Sequence, residues 1–241
     1  MLLNFIGTGS AFNTELGNNS AYFEHKDVLY IIDCGETVFS KIKDKINWGK
    51  YSNVTVLITH SHTDHIGSLP TLIFYLYYIH GIKTRVLTGD GVDIVEFLQL
   101  SGVLGKQCEV YSLGQIKDID DDDIKYCKEK GEVIITSFEN NHVDEIPSNC
   151  FNIIINGNVL LFSGDSKDVV DVDFGVYDEI YHDCSSAGFE GSVHCYIESL
   201  IDKIPKEFHN KVYLMHLDNE DKIREILKER NCKFNICKAL I

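Results

Sequence analysis

The sequence predicts a single mixed α/β domain over residues 1–241, built as two mixed sheets stacked face to face with helices on the outside. Three observations predict it. Short apolar or alternating runs recur along the chain, strand pairs open each half, and helical patterns interleave with the later strands. At 241 residues one domain can bury about 70–75% of its unfolded surface, enough for a core without staples.

In order, strand-like runs lie near 2–6, 20–24, 28–32, 54–58 and 84–87, then near 133–138, 150–155, 158–162, 178–181, 211–215 and 233–237. Asn156-Gly157 separates two of them and is a type I′ hairpin signal. Helical patterns fall near 37–46, 67–79, 92–101, 193–203 and 219–229. The apolar stretch Leu69 to Ile79 contains Pro70 and stops at His80-Gly81, so it reads as a buried helix and not a membrane span. Three prolines, no Pro/Gly/Ser-rich linker and no repeat leave the chain undivided. Asp118 to Asp123 reads as a solvated loop, and Lys41, Lys43, Lys45 and Lys50 as one exposed helix face. Gly7-Thr8-Gly9 lacks the third glycine of a dinucleotide fingerprint, with Phe12 in its place, and reads as a tight turn.

The formal charge is −15, from 22 basic and 37 acidic residues. Long nucleic acid is therefore disfavoured, because that affinity comes from neutralising many phosphates. A small anion is still allowed, since bound cations reverse the local field. Eight scattered cysteines with no C-x-x-C pair read as free thiols, and the N-terminus has no basic export signal, so a cytoplasmic protein is expected.

The chemistry concentrates in Thr59-His60-Ser61-His62-Thr63-Asp64-His65, directly after the apolar strand Val54 to Ile58. In an extended segment His60 and His62 point to the same side and can share a cation. The next turn offers Asp64 and His65 to a second. Imidazole with carboxylate suits Zn²⁺, with Mn²⁺, Fe²⁺ or Co²⁺ also accommodated, and argues against Mg²⁺ or Ca²⁺. Further ligands stand after later strands: His142, Asp165 and His216. Together they complete a dinuclear set, with His60, His62 and His142 on one metal, Asp64, His65 and His216 on the other, and Asp165 bridging. Trp48 and Tyr51 are aromatic candidates for stacking on a base, and packing accounts for them equally well.

Gly7 to Ser10, Asp33-Cys34-Gly35-Glu36, the 59–65 motif, Asn141-His142 with Pro147-Ser148, Ser163-Gly164-Asp165 and His216 occur in an order that resembles the metallo-β-lactamase superfamily, and within it the ribonuclease Z branch. The resemblance implies an αββα sandwich with two metals at one edge. His182-Asp183 is similar to the branch's His-Glu segment and Ser192-Val193-His194 to the position of its additional histidine, which implies an Asp183–His194 dyad. Chemistry gives that dyad a use: phosphodiester cleavage needs a proton for the departing alkoxide, and a histidine held by a carboxylate keeps one near neutrality. Asp64 is expected to act as general base.

Only 23 residues separate His142 from Asp165, filled by the hairpin, so the basic arm with which ribonuclease Z enzymes grip transfer RNA is missing. Compact, armless relatives include phage-encoded anti-Pycsar phosphodiesterases, which the Phe5 to Thr14 opening and the overall size resemble. That resemblance implies a homodimer that hydrolyses cyclic mononucleotides. RNA 3′-end processing and non-catalytic nucleotide sequestration are the alternatives.

Overall fold

The computed structural model describes residues 1–240, in two compact units: residues 1–113 with the C-terminal residues from Lys238, and residues 114–237. The first unit holds one six-stranded sheet, in sequence order: β1 (Asn4–Gly7), β2 (Ser20–His25), β3 (Val28–Ile32), β4 (Asn53–Ile58), β5 (Thr84–Thr88) and β6 (Cys108–Ser112). β1–β2 and β2–β3 pair antiparallel; the three later pairings are parallel. Parallel neighbours need crossovers, and the helices α1 (Val38–Ile42), α2 (Thr63–Ile66), α3 (Leu69–His80) and α4 (Val95–Leu100) lie in those connections. α3 buries Leu69, Leu72, Ile73 and Leu76, a spacing that places them on one face. They join Leu29, Ile31, Val54, Val56, Ile58 and Val86 of the sheet in one apolar cluster, each such side chain contributing about 1.5–3 kcal/mol when fully buried.

Three readings change in this unit. Trp48 and Tyr51 belong to the apolar cluster, with the Trp48 Nε1 donating to the Lys43 carbonyl at 2.9 Å, so neither offers a free ring face to a base. The first helix stops at Ile42, leaving Lys43 as its C-cap and Lys45 and Lys50 beyond it. Lys41 is half-buried and donates to the Leu16 carbonyl at 2.8 Å, so the lysines do not form one exposed face. The Gly7–Gly9 segment is not the tight turn that the sequence suggests: Gly7 ends β1, Gly9 bridges Asn18 with its amide donating to the Gly17 carbonyl at 2.8 Å, and the chain turns between them, where the Asn13 amide donates to the Ser10 carbonyl at 3.0 Å.

The second unit holds the other six-stranded sheet: β7 (Val133–Glu139), β8 (Asn149–Ile155), β9 (Asn158–Phe162), β10 (Glu179–Asp183), β11 (Val212–Met215) and β12 (Asn235–Ile236). It repeats the succession of the first: β7–β8 and β8–β9 antiparallel, then three parallel pairings. Asn156 and Gly157, at φ 54° and 80°, make the hairpin turn that their sequence announces. The helices are α5 (Asp121–Lys130), α6 (Ile197–Lys203) and α7 (Glu220–Glu229).

The aspartate run is solvated but is only partly a loop. Asp120 caps α5 by accepting from the Asp123 amide at 2.7 Å, and Asp121 to Asp123 occupy its first turn. Acidic groups there face the positive end of the helix dipole. β6 also escaped the sequence reading, being a short edge strand with Glu109, Tyr111 and Ser112 exposed.

Candidate metal centre

In the first unit, His60 follows β4, His62 caps α2, and Asp64 and His65 sit within that single-turn helix. What fixes the helix is the turn after β3. The Cys34 amide donates to the His65 carbonyl at 2.6 Å and the Ser68 amide to the Cys34 carbonyl at 3.0 Å. A Cβ on Gly35 would stand 1.8 Å from the Asp64 carbonyl oxygen, so only glycine allows this approach.

Asp33, buried and left-handed at φ 59°, holds the histidines in register. Its carboxylate accepts from the Thr59 amide and hydroxyl, both at 2.9 Å, and contacts the His65 Nδ1 at 2.8 Å. Burial raises the Asp33 carboxyl, against the opposing pull of His65 and Thr59. With Nδ1 committed to Asp33, the His65 Nε2 is the atom left for a cation, the usual arrangement of a carboxylate behind a metal-binding imidazole. The His60 Nε2 and His62 Nδ1 lie 3.0 Å apart. That is close to the roughly 3.3 Å separating two nitrogens on one tetrahedral zinc.

In the second unit, one nitrogen or carboxylate oxygen from each of Asp165, Asp183, His194 and His216 lies within 4.8 Å of the others. Asp165 follows β9, Asp183 ends β10 and His216 follows β11, so neighbouring parallel strands deliver all three. The Asp165 Oδ2 is 3.3 Å from the His216 Nε2 and 3.9 Å from both the His142 Nε2 and the His194 Nδ1. His142 is oriented from behind by the Val193 carbonyl at 3.0 Å from its Nδ1. His216, like Asp33, is a buried residue at positive φ, 55°.

Asp183 works on two rings at once. Its Oδ2 accepts from the Ser166 amide at 2.9 Å and meets the His194 Nδ1 at 2.8 Å, while Oδ1 lies 3.4 Å from the His216 Nδ1. Burial would raise this carboxyl, but His194 and His216 outweigh it and the net direction is down. For His194 burial acts downward and the Asp183 charge, its hydrogen bond and Asp165 prevail, raising it. Burial lowers His142. His182 is fully buried between the Asp183 carbonyl and the Val170 amide and takes no part in the cluster.

Within each unit, buried or half-buried imidazole nitrogens and carboxylate oxygens gather, steered from behind by Asp33 in the first and by Val193 and Asp183 in the second, and both donor sets fit divalent cations of the zinc type. The sequence motifs included Asp33 without assigning it work, and gave Asp183 one partner where it has two.

A family model described as anti-Pycsar protein Apyc1 matches residues 1–238. The chain belongs to the Apyc1 family. Anti-Pycsar protein Apyc1 of Bacillus phage vB_BveM-Goe7 is 28% identical over 232 residues, covering 89% of this chain and 88% of its own. The Apyc1 of Paenibacillus sp. (strain J14) is 27% identical over 238 residues, covering 90% and 89%. Among solved structures, the metallo-β-lactamase fold protein YhfI from Bacillus subtilis aligns at a TM-score of 0.74 with 19% identity, covering 98% of this chain and 96% of that one. The short form of human tRNase Z aligns at 0.67 with 16% identity, covering 99% and 97%. This Apyc1-family chain therefore has the metallo-β-lactamase fold, two mixed sheets with helices.

Proposed function

We propose that the protein is a phosphodiesterase that opens cyclic mononucleotides to linear monophosphates with two divalent cations, Zn²⁺ or Mn²⁺. The observation that carries the reading is the His194–Asp183 contact at 2.8 Å, a proton donor held beside Asp165 and His216. Membership of a family named for opposing Pycsar supports a small cyclic nucleotide as the target, and the charge of −15 favours a small phosphodiester over a long RNA.

In this reading His60, His62 and His142 would hold one cation and Asp64, His65 and His216 the other, with Asp165 available to both. Bound cations supply a nucleophile at neutral pH and take up charge developing on the phosphate oxygens. Asp64 accepts the proton of the attacking water. His194, kept protonated by Asp183, gives its proton to the departing 3′ or 5′ oxygen. Asp33 and the Val193 carbonyl keep His65 and His142 aimed, so little reorganisation is needed at the moment of reaction. The reading includes a homodimer acting in the cytoplasm.

The test is incubation of the metal-loaded protein with a panel of cyclic mononucleotides, bis-p-nitrophenyl phosphate and a 3′-extended transfer RNA. Linear mononucleotides are the expected product. Cleavage confined to the RNA overturns the substrate assignment, and tight binding of intact cyclic nucleotide without turnover overturns catalysis. Light scattering after gel filtration tests the dimer.

A further inference from the structure

The segment between β10 and α6, residues 184–196, supplies two of the site's fixed points. It carries His194 itself, and its Val193 carbonyl is the partner that orients His142. Its internal bonds are short-range: Ser185 with Ala187, and Ser192 with Phe189 and His194. Its tip exposes Phe189 between Gly188 and Gly191, the latter at φ 83°. Its base is closed by the Ser185 amide donating to the Cys195 carbonyl at 2.8 Å and the Ile197 amide to the Ser185 carbonyl at 3.0 Å. A further hold comes from the turn before α7.

Asp218 stands two residues beyond His216 in the turn before α7. Its Oδ1 accepts from the Ser186 amide at 2.8 Å and the Asn219 amide at 2.7 Å. Its Oδ2 accepts from the Ser185 and Ser186 hydroxyls, both at 3.0 Å. Ser185 and Ser186 are buried although Asp218 lies at the surface. One carboxylate thus joins the turn that follows His216 to the segment that aims His194 and His142.

We propose that Asp218 is a positioning residue that sets the 184–196 segment, and through it the rings of His194 and His142. The inference rests on the hydrolase reading for its effect on rate, but the geometric part is independent of it. Asp218 touches no reacting atom. Its removal frees the segment to shift, and a displacement of about 1 Å at a proton donor costs on the order of 100-fold in rate. An amide at the same position can keep the network, because its oxygen still accepts from the two backbone amides and the serine hydroxyls can rotate to accept from its NH₂.

The experiment compares Asp218→Ala and Asp218→Asn in the zinc-loaded full chain by two readouts: kcat and KM on the cleaved cyclic mononucleotide, and long-range ¹H–¹⁵N spectra of the imidazole rings. Asp218→Ala is expected to lower kcat about 100-fold with KM little changed, and to move the His194 and His142 ring signals. Asp218→Asn is expected to retain those signals and to stay within about fivefold in kcat, as hydrogen-bond exchange of this kind costs little. Unmoved His194 and His142 signals in Asp218→Ala overturn the proposal. Should that variant fail to fold, Ser186→Ala decides by the same two signals, since its hydroxyl bonds Asp218 and its loss leaves the Ser185–Ala187 bonds in place. If the unaltered protein cleaves none of the phosphodiesters, the hydrolase reading falls, while the ring spectra still decide the role of Asp218.

Discussion

Asp183→Asn separates the charge of the carboxylate from its shape. The Ser166 amide, 2.9 Å from Oδ2, selects the orientation of the new side chain, because an NH₂ placed there would oppose a backbone donor. The amide oxygen therefore stays toward Ser166 and His194, and the NH₂ turns to the His216 Nδ1, 3.4 Å from the former Oδ1. His194 keeps a hydrogen bond to a neutral acceptor in place of one to a carboxylate. The lost bond to the carboxylate is worth about 1.5–3 kcal/mol, or about ten- to 150-fold in kcat. His216 is pushed toward the tautomer with its proton on Nε2, the atom facing Asp165, so cation affinity falls by about 10–100-fold as well.

The pH dependence has a definite sign. The His194 imidazole is raised above its ordinary value, with burial acting downward and Asp183 prevailing, so the acid form persists to higher pH than in a free histidine and the rate falls as pH rises through that raised value. The same pairing stabilises the fold fully below the unfolded value of about 6.5 and is lost as pH rises through the folded one. In Asp183→Asn the alkaline limb moves to lower pH. A pH–rate profile at saturating metal, with metal content measured in parallel, reads both effects. An unmoved alkaline limb with kcat within threefold of the unaltered protein would refute the assignment of His194 as the acid that Asp183 keeps protonated.

Three other perturbations test separate parts of the site. His194→Ala should lower turnover by about 10²–10⁴-fold while elemental analysis finds metal content unchanged; loss of metal would make it a ligand and not the acid. Asp33→Asn withdraws the charge behind His65, and zinc titration should show affinity reduced about 10–100-fold, together with a lower melting temperature. Gly35→Ala forces the turn after β3 away from the Asp64 carbonyl, costing about 1–3 kcal/mol or more in denaturant unfolding and weakening metal binding at Asp64 and His65.

Legibility in the sequence followed the range of the interaction. The strands from β1 to β5 and from β7 to β11 are apolar enough to announce themselves, and the Asn156-Gly157 turn states its own geometry. β6 did not, because an edge strand needs only one paired side and its exposed Glu109 and Ser112 break the apolar pattern. α5 hid behind aspartates, since a charge run and a capped helix start look alike until the Asp120–Asp123 bond is seen. The candidate ligands stood out for their residue types and their places after strands. The groups that aim them did not: Asp33 meets Thr59 across 26 positions and the Val193 carbonyl meets His142 across 51, and neither pairing leaves a local trace.

Asp33 and His216 also reveal what the chemistry withholds from the fold. Each sits at a strand end with a backbone that side-chain-bearing residues adopt at a penalty of about 1–2 kcal/mol. Glycine would relax both positions and abolish both duties. Robustness of the backbone and the placement of these two side chains therefore pull in opposite directions at the two strand ends.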